Sequence, residues 1–441
     1  MNQNRRLQKQ RMLATVMGVL ILILAFVVLF IQMGQEDGTG ALAPAPTPDP
    51  TIRPVATATV GNTGDILIHS PILSNAKLSD GSYDFAPIFT YLAPYIKEVD
   101  YATINLELSM PGSNYQGYPT FRTPDDLVDV LLNAGFDMVT TANNHANDSG
   151  NTGMVRTTEV LKEKGLTYTG TRTTTDDKNY LVENINGINI GMVSYTHGTY
   201  LSDGRKSING IPCTKESSKL INMFSYDRLN EFYTALETDL ENMRNDGAES
   251  FVIYIHWGNE YEIDQNATQE SMAQKLCDLG FDVIVGCHPH VVQPVTVLSS
   301  EVSGKSTLCV YSMGNAISNQ RIEYMDDIKT GHTEDGTFIT FTFTKYSDGS
   351  VVVTDAEVLP TWVHMYVTNG RKYHQIVPLD KSVSDWTESF NLTATNKGAA
   401  NAQKSYDRTM AILKEGLEEW DALFFERQQQ LDAKNAELTG Q

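Results

Sequence analysis

Between residues 57 and 315 almost every short apolar run with the pattern of a strand ends on a few polar residues able to bind metal. In order, these ends are Gly64-Asp65, Asn105-Leu106-Glu107, Asn143-Asn144-His145, His197, His256-Trp257-Gly258, His288-Pro289-His290 and Gly314-Asn315. Open α/β sheets bind ligands just outside the carboxyl ends of their strands. The pattern therefore predicts a layered α/β domain whose site is assembled from segments far apart in sequence. The chain has nine histidines, and those from His145 to His290 all fall on these ends. Histidines scattered over a surface would not.

The runs themselves set the fold class. Phe251–Ile255, Leu308–Tyr311 and, after its first residue, Asp282–Val285 are continuously apolar rather than alternating, which marks strands covered on both faces. Helical patterns alternate with them: Pro124–Asn133, Gly153–Lys164 closed by Gly165, Tyr226–Arg244, and Gln269–Leu279 closed by Gly280. Such alternation predicts a layered α/β fold. After Asn315 the pattern changes. Phe338–Lys345 and Val351–Val353 flank the turn Ser347-Asp348-Gly349-Ser350 and read as a β-hairpin. A last helix is expected over Tyr406–Leu431, with Met410, Leu413, Leu417, Trp420, Leu423 and Phe424 on one face, packed on the domain or offered to a partner.

The N-terminus predicts a membrane anchor. Arg5, Arg6, Lys9 and Arg11 precede an uncharged, apolar run from Met12 to Ile31, followed by Glu36 and Asp37. A helix of about 20 apolar residues spans a bilayer. The charge asymmetry puts the N-terminus in the cytoplasm and the main domain outside. A cleaved signal peptide, with Ala41-Leu42-Ala43 as its site, is the alternative. Residues 34–55 are rich in Pro, Thr and Ala and read as an extended spacer. The expected division is a cytoplasmic tail over 1–11, an anchor over 12–33, the linker over 34–55, the main domain over 56–375 and a polar, then helical extension over 376–441.

A formal net charge of −21 argues against a nucleic-acid partner, because phosphate binding needs clustered Lys and Arg. Four cysteines without a Cys-x-x-Cys spacing exclude a zinc ribbon or thioredoxin motif. They read as buried thiols, although an extracellular address would permit one disulfide.

Carboxylates, an asparagine and imidazoles at strand ends suit divalent first-row metals. Two such ions would polarise a phosphoryl or carbonyl oxygen and activate water. His288-Pro289-His290 offers two imidazoles pointing the same way if the segment is extended. Each residue also has a plainer reading. Asp65 could cap a helix, Asn143 and Asn144 could be turn residues, and Trp257 and Tyr261 could simply pack. Arg122 is a candidate anion clamp or a solvated loop arginine. His332, His364 and His374 fall outside the pattern.

Six motifs, including Ala142-Asn143-Asn144-His145-Ala146-x-Asp148-x-Gly150, His256-Trp257-Gly258-x-Glu260-Tyr261 and Tyr311-Ser312-x-Gly314-Asn315, occur in the order seen in the bacterial capsule-synthesis protein family of poly-γ-glutamate production. Over about residues 57–320 the chain resembles that family, a branch of the calcineurin-like metallophosphoesterases. The resemblance implies a four-layer α/β/β/α sandwich, a site for two divalent ions (Mn, Fe or Zn) and a membrane-anchored extracytoplasmic domain. It implies Asp65, Glu107, Asn144, His256, His288 and His290 as metal ligands, with Glu107 in the bridging carboxylate's place, and His145 as general acid. His69, Arg122, His197, Glu260 and Asn315 are expected nearer the substrate. Leu67 stands where phosphoesterases carry a histidine, and Asn105-Leu106-Glu107 replaces their Gly-Asp-x-x-Asp; His69 is a candidate substitute for the first. Two functions follow as expectations. One is a metal-dependent hydrolase of a phosphoester or of an amide in a γ-glutamyl polymer or wall peptide. The other is a non-enzymatic partner that binds the anionic polymer within a capsule synthesis or export complex.

Overall fold

The first strand, β1 (Pro54–Ile66), runs 13 residues from an exposed start to a fully buried end. Its neighbours β2 (Tyr101–Asn105), β3 (Met138–Thr140) and β4 (Thr167–Thr169) follow in parallel. The computed structural model describes residues 50–392 and 397–440. The expected anchor over 12–33 and nearly all of the linker lie outside the described residues. Among the described residues no helix is long and apolar enough to cross a membrane.

The chain then leaves this sheet to build a second. There β5 (Leu181–Ile185) and β6 (Ile188–His197) form a hairpin, and β7 (Thr199–Tyr200), β8 (Lys206–Ile208) and β9 (Ile211–Pro212) make a small separate sheet. β10 (Met223–Phe224), β11 (Ser250–His256), β12 (Val283–Cys287), β13 (Val295–Ser299) and β14 (Ser306–Val310) complete the second sheet in the order β10-β6-β11-β12-β14-β13. The chain returns to the first sheet with β15 (Asn315–Ile317), β16 (Asp335–Tyr346), β17 (Val351–Thr368) and β18 (Arg371–Pro378), giving the order β18-β17-β16-β1-β2-β3-β4 with β15 beside β1.

Three of the apolar clusters among the described residues pack the two large sheets and their helices. One joins the inner faces of the sheets, with Val60, Ile339 and Phe341 of the first against Met192, Val252 and Val285 of the second. A second covers the outer face of the first sheet with the helices Ser70–Ala76, Asp126–Ala134 and Gly150–Lys164 and two short ones between them. The third packs helices Leu229–Asn245 and Ala267–Leu279 on the outer face of the second sheet. The fold is thus mixed α/β. Continuous apolar strands are what this burial on both faces requires.

Helix ends follow local chemistry. Gly135, Gly165 and Gly280 each close a helix in the left-handed conformation. Asn266 and Gln269 form a reciprocal capping box, so that helix starts at Ala267, before the expected Gln269.

Other expectations need correction. The hairpin after Asn315 is far longer than its alternating core suggested. β16 and β17 pair from Asp335 to Lys345 and from Val351 to Trp362, and extend the first sheet. The C-terminal helix spans Gly398–Thr439 rather than Tyr406–Leu431. It is part of the core, since Leu413 and Trp420 are buried in the cluster between the sheets. Asn315 begins β15 instead of ending a strand. The cysteines, by contrast, are as expected: all four are buried free thiols.

Candidate metal centre

The two sheets bring their carboxyl ends together. In the first, Asp65 pairs with Asn105, which pairs with Thr140 on the next strand. In the second, His256 lies between Thr196 and Cys287. Gly64 lets β15 approach: a Cβ there would lie 1.9 Å from the Gly314 carbonyl oxygen, which accepts the Asp65 amide. Just beneath, buried Asn62 links the sheets, accepting hydrogen bonds from Thr103 Oγ1 at 2.8 Å and Tyr254 Oη at 3.1 Å.

All six expected ligands meet in one buried cluster. Asp65 Oδ2 lies 3.0 Å from His290 Nδ1, and its Oδ1 accepts from Asn105 Nδ2 at 2.8 Å. Glu107 Oε1 lies 3.5 Å from His256 Nε2 and 3.7 Å from His290 Nε2. His256 Nε2 is also 3.0 Å from Asn144 Oδ1 and 3.1 Å from His288 Nδ1. Their ligand atoms form two groups of metal-holding size, Glu107–His256–His288 and Asp65–Glu107–His290. Glu107 belongs to both.

His288-Pro289-His290 is not the extended segment its spacing suggested. His288 and His290 have φ of 102° and 57°, conformations that side chains disfavour. The loop is held there by contacts to its backbone. Asp65 Oδ2 accepts the His288 amide, Tyr261 donates its amide to the Pro289 carbonyl, and Asn315 Nδ2 donates to the His290 carbonyl. Strain of roughly 1–3 kcal/mol per residue persists only where surroundings over-determine it, commonly at functional sites.

The electrostatics call for a cation. Glu107 is fully buried, and its Oε1 has no hydrogen-bond donor. Burial, with the Asp65 charge beside it, pushes its carboxyl well above the usual range. Burial likewise holds His256 and His288 well below the usual imidazole range, with neighbouring histidines adding to the effect. Burial would raise Asp65 too, but the hydrogen bond and charge of His290 bring it down to about 2. A carboxylate oxygen without a donor, among neutral imidazoles that offer lone pairs, fits divalent ions.

His145 stands beside the cluster, with Nδ1 2.7 Å from Asp148 Oδ2. Phe121 packs edge-on against both His145 and His69, and its amide donates to the same Asp148 oxygen. His69 Nε2 is buried without a partner. His197 lies 4.6 Å from the His288 ring and 3.1 Å, through Nδ1, from the His256 carbonyl oxygen, so it buttresses the imidazoles. Leu67 is buried in the apolar cluster under the helices. Arg122 pairs through its backbone with Gln116, and its Nε is buried without a partner. Glu260 is exposed at the rim. Asn315 uses its amide on His290, Gln320 and Thr333, which makes it a loop-positioning residue.

Two residues here had no role assigned from sequence. Asn105 sits at the hub, donating to Asp65 and accepting from Thr140 Oγ1 at 3.0 Å and Asn143 Nδ2 at 3.3 Å. Asp148 orients His145; its signal was the three-residue spacing His145-x-x-Asp148, which the turn over residues 144–149 brings together.

A mixed α/β protein whose strand ends gather two carboxylate–imidazole groups around one glutamate belongs to the class of candidate divalent-metal proteins. Residues 59–320 match the bacterial capsule synthesis protein family PGA_cap, and the chain belongs to that family. Capsule biosynthesis protein CapA of Bacillus anthracis is 30% identical over 240 residues, 53% of this chain and 54% of that protein. PGA biosynthesis protein CapA of Bacillus subtilis (strain 168) is 28% identical over 241 residues, 53% of this chain and 57% of that protein. The chain thus spans about half the length of the curated relatives it matches. Among solved structures, TT1561 of Thermus thermophilus aligns with a TM-score of 0.33 at 7% identity, over 64% of this chain and 93% of that one.

Proposed function

We propose that this chain is a capsule-biosynthesis protein with a metal-dependent hydrolase site that holds two divalent ions. The observation that carries this reading is Glu107, a buried carboxylate shared by two ligand groups, with one oxygen lacking any donor. On this reading the two sheets and their helices are the four-layer α/β/β/α sandwich of metallophosphatases. Asp65, Glu107 and His290 would hold one ion; Glu107, His256 and His288, with Asn144 beside them, the other. Two such ions supply Lewis-acid activation of water and of a phosphoryl or carbonyl oxygen.

The remaining chemistry falls to the chain itself. His145, with Nδ1 fixed on Asp148, presents Nε2 to give a proton to the leaving group. The burial around the cluster excludes bulk water. We assign the substrate to the extracytoplasmic γ-glutamyl polymer or a phosphoester linked to it, and the protein to the outer face of a membrane that its N-terminal apolar run anchors.

Elemental analysis of the purified full-length protein tests the centre. About two equivalents of Mn, Fe or Zn per chain are expected, falling toward none in Glu107→Gln. Absence of bound metal after loading with each of these ions would sink the reading. One observation favours a second function, binding of the polymer without turnover: Leu67 leaves the Asp65 group without a second imidazole. A protein that binds two metals yet supports capsule formation unchanged as His145→Ala would point there.

A further inference from the structure

Away from the metal cluster, a cavity of about 280 Å³ opens on the outer side of the second sheet, beside β10 and the start of helix Leu229–Asn245. Arg172, Lys206 and Arg228 line it, together with Asn179, Tyr200 and, at the mouth beside Arg228, the exposed Glu231. Three cations on one small cavity are notable in a chain of formal charge −21.

The two inner cations are held by neutral acceptors rather than by ion pairs. Arg172 Nη2 donates to the Lys219 carbonyl, while its Nε is buried with no acceptor. Lys206 Nζ donates at 2.6 Å to the Ile221 carbonyl. Among the described residues, neither forms an ion pair. Burial leaves the Arg172 guanidinium below its ordinary value, outweighing Asp239 and Asp177, which act on it through charge without contacting it; the Asp239 oxygens bond Asn179 Nδ2 and Tyr195 Oη, each at 2.7 Å. Arg228 stacks over the Tyr200 ring at 4.6 Å, and its contact to the exposed Glu231 is a loose 3.8 Å. Carbonyl acceptors fix the two inner cations in place but carry no counter-charge. Burying like charges together is costly unless an anion joins them.

We propose that Arg172 and Lys206 form a second, anion-binding site that takes one carboxylate or phosphate group, with Arg228 at its mouth. A cavity just under the roughly 300 Å³ typical of ligand pockets holds a small oxyanion or one acidic side group, not a nucleotide. Arginine and lysine suit that chemistry through charge-assisted hydrogen bonds. Burial and the charge of Arg172 bring the Lys206 ammonium down to about 8, a strain that a bound anion relieves. The site does not depend on the metal reading, since it shares no residue with that centre.

Calorimetric titration of the full-length, chelator-treated protein tests it, with inorganic phosphate in one arm and a γ-linked glutamate trimer in the other. Binding in the phosphate arm alone identifies a phosphate source; binding of the trimer identifies the polymer. Lys206→Met and Arg172→Gln should each weaken binding about tenfold or more, the loss expected for a hydrogen bond to a charged group. Exposed Arg228→Gln, which leaves the interior intact, should weaken it less. His288→Ala should leave it unchanged, which separates this site from the metal centre. Wild-type protein that binds neither probe, or undiminished binding in the Arg172, Lys206 and Arg228 variants, would overturn the proposal.

Discussion

Asp148 shows how much one side chain can decide. Its carboxylate holds His145 Nδ1 at 2.7 Å and also accepts the Phe121 amide, so the imidazole is held in one orientation. Asp148→Asn keeps the shape and removes the charge. We expect unchanged metal content and turnover of an aryl phosphoester lowered about 100-fold or more. Equal turnover would detach His145 from proton transfer. The convergence of Asp65, His256, His288 and His290 in one cluster was legible because strand-end position and residue type coincide there. Asn105 was harder to read. It looks like an ordinary strand terminus, and only the pairing of β1, β2 and β3 shows that three partners converge on it.

At the scale of elements, the C-terminal helix is a brace across the edge of the second sheet. Trp420 Nε1 donates to the Thr296 carbonyl, while Glu419 accepts from Thr296 Oγ1 and the Val297 amide on β13. This covers an edge strand that would otherwise offer unpaired backbone groups. Gly416 permits the approach: a Cβ there would sit 1.6 Å from the Val295 carbonyl oxygen. Helix propensity alone says that Gly416→Ala stabilises by about 1 kcal/mol. The contact says the reverse, a loss of about 1–3 kcal/mol from overpacking. Urea denaturation decides by the sign. The amphipathic face of this helix was readable, but its ends were not, because the flanking turns are polar. β17 was similarly underestimated. Pro360 breaks its pattern, yet that proline lies just before the pairing with β18 begins, where its missing N–H costs no bond to that strand.

For the whole molecule, burial of neutral histidines sets the response to acid. Burial, followed by the charge of Arg321, brings His364 down to about 4 and His374 down to about 3. Both folded values lie below the ordinary 6.5. The unfolded chain therefore binds more protons below that value. Their contribution to stability is complete above it and is lost as pH falls toward about 4 and 3. His364→Phe, between Trp362 and Tyr366, should shrink the stability drop between neutral pH and pH ~5 by about 1–2 kcal/mol. Parallel pH profiles for variant and wild type would refute this.

The layered α/β class was legible from continuous apolar strands. The small sheet β7–β9 was not, because strands of two or three residues carry no period. One consequence follows from β1 itself. Its 13 residues place Pro54 and Asp65 roughly 36 Å apart at about 3.3 Å per residue. Asn435 grips the backbone of Ile52 at the first of these poles, through bonds of 2.7 and 2.9 Å. The entrance of β1 and the end of the final helix are thus clamped to each other at that pole. The cluster around Asp65 lies at the opposite pole of the same strand, so the clamp and the candidate metal centre share no residue.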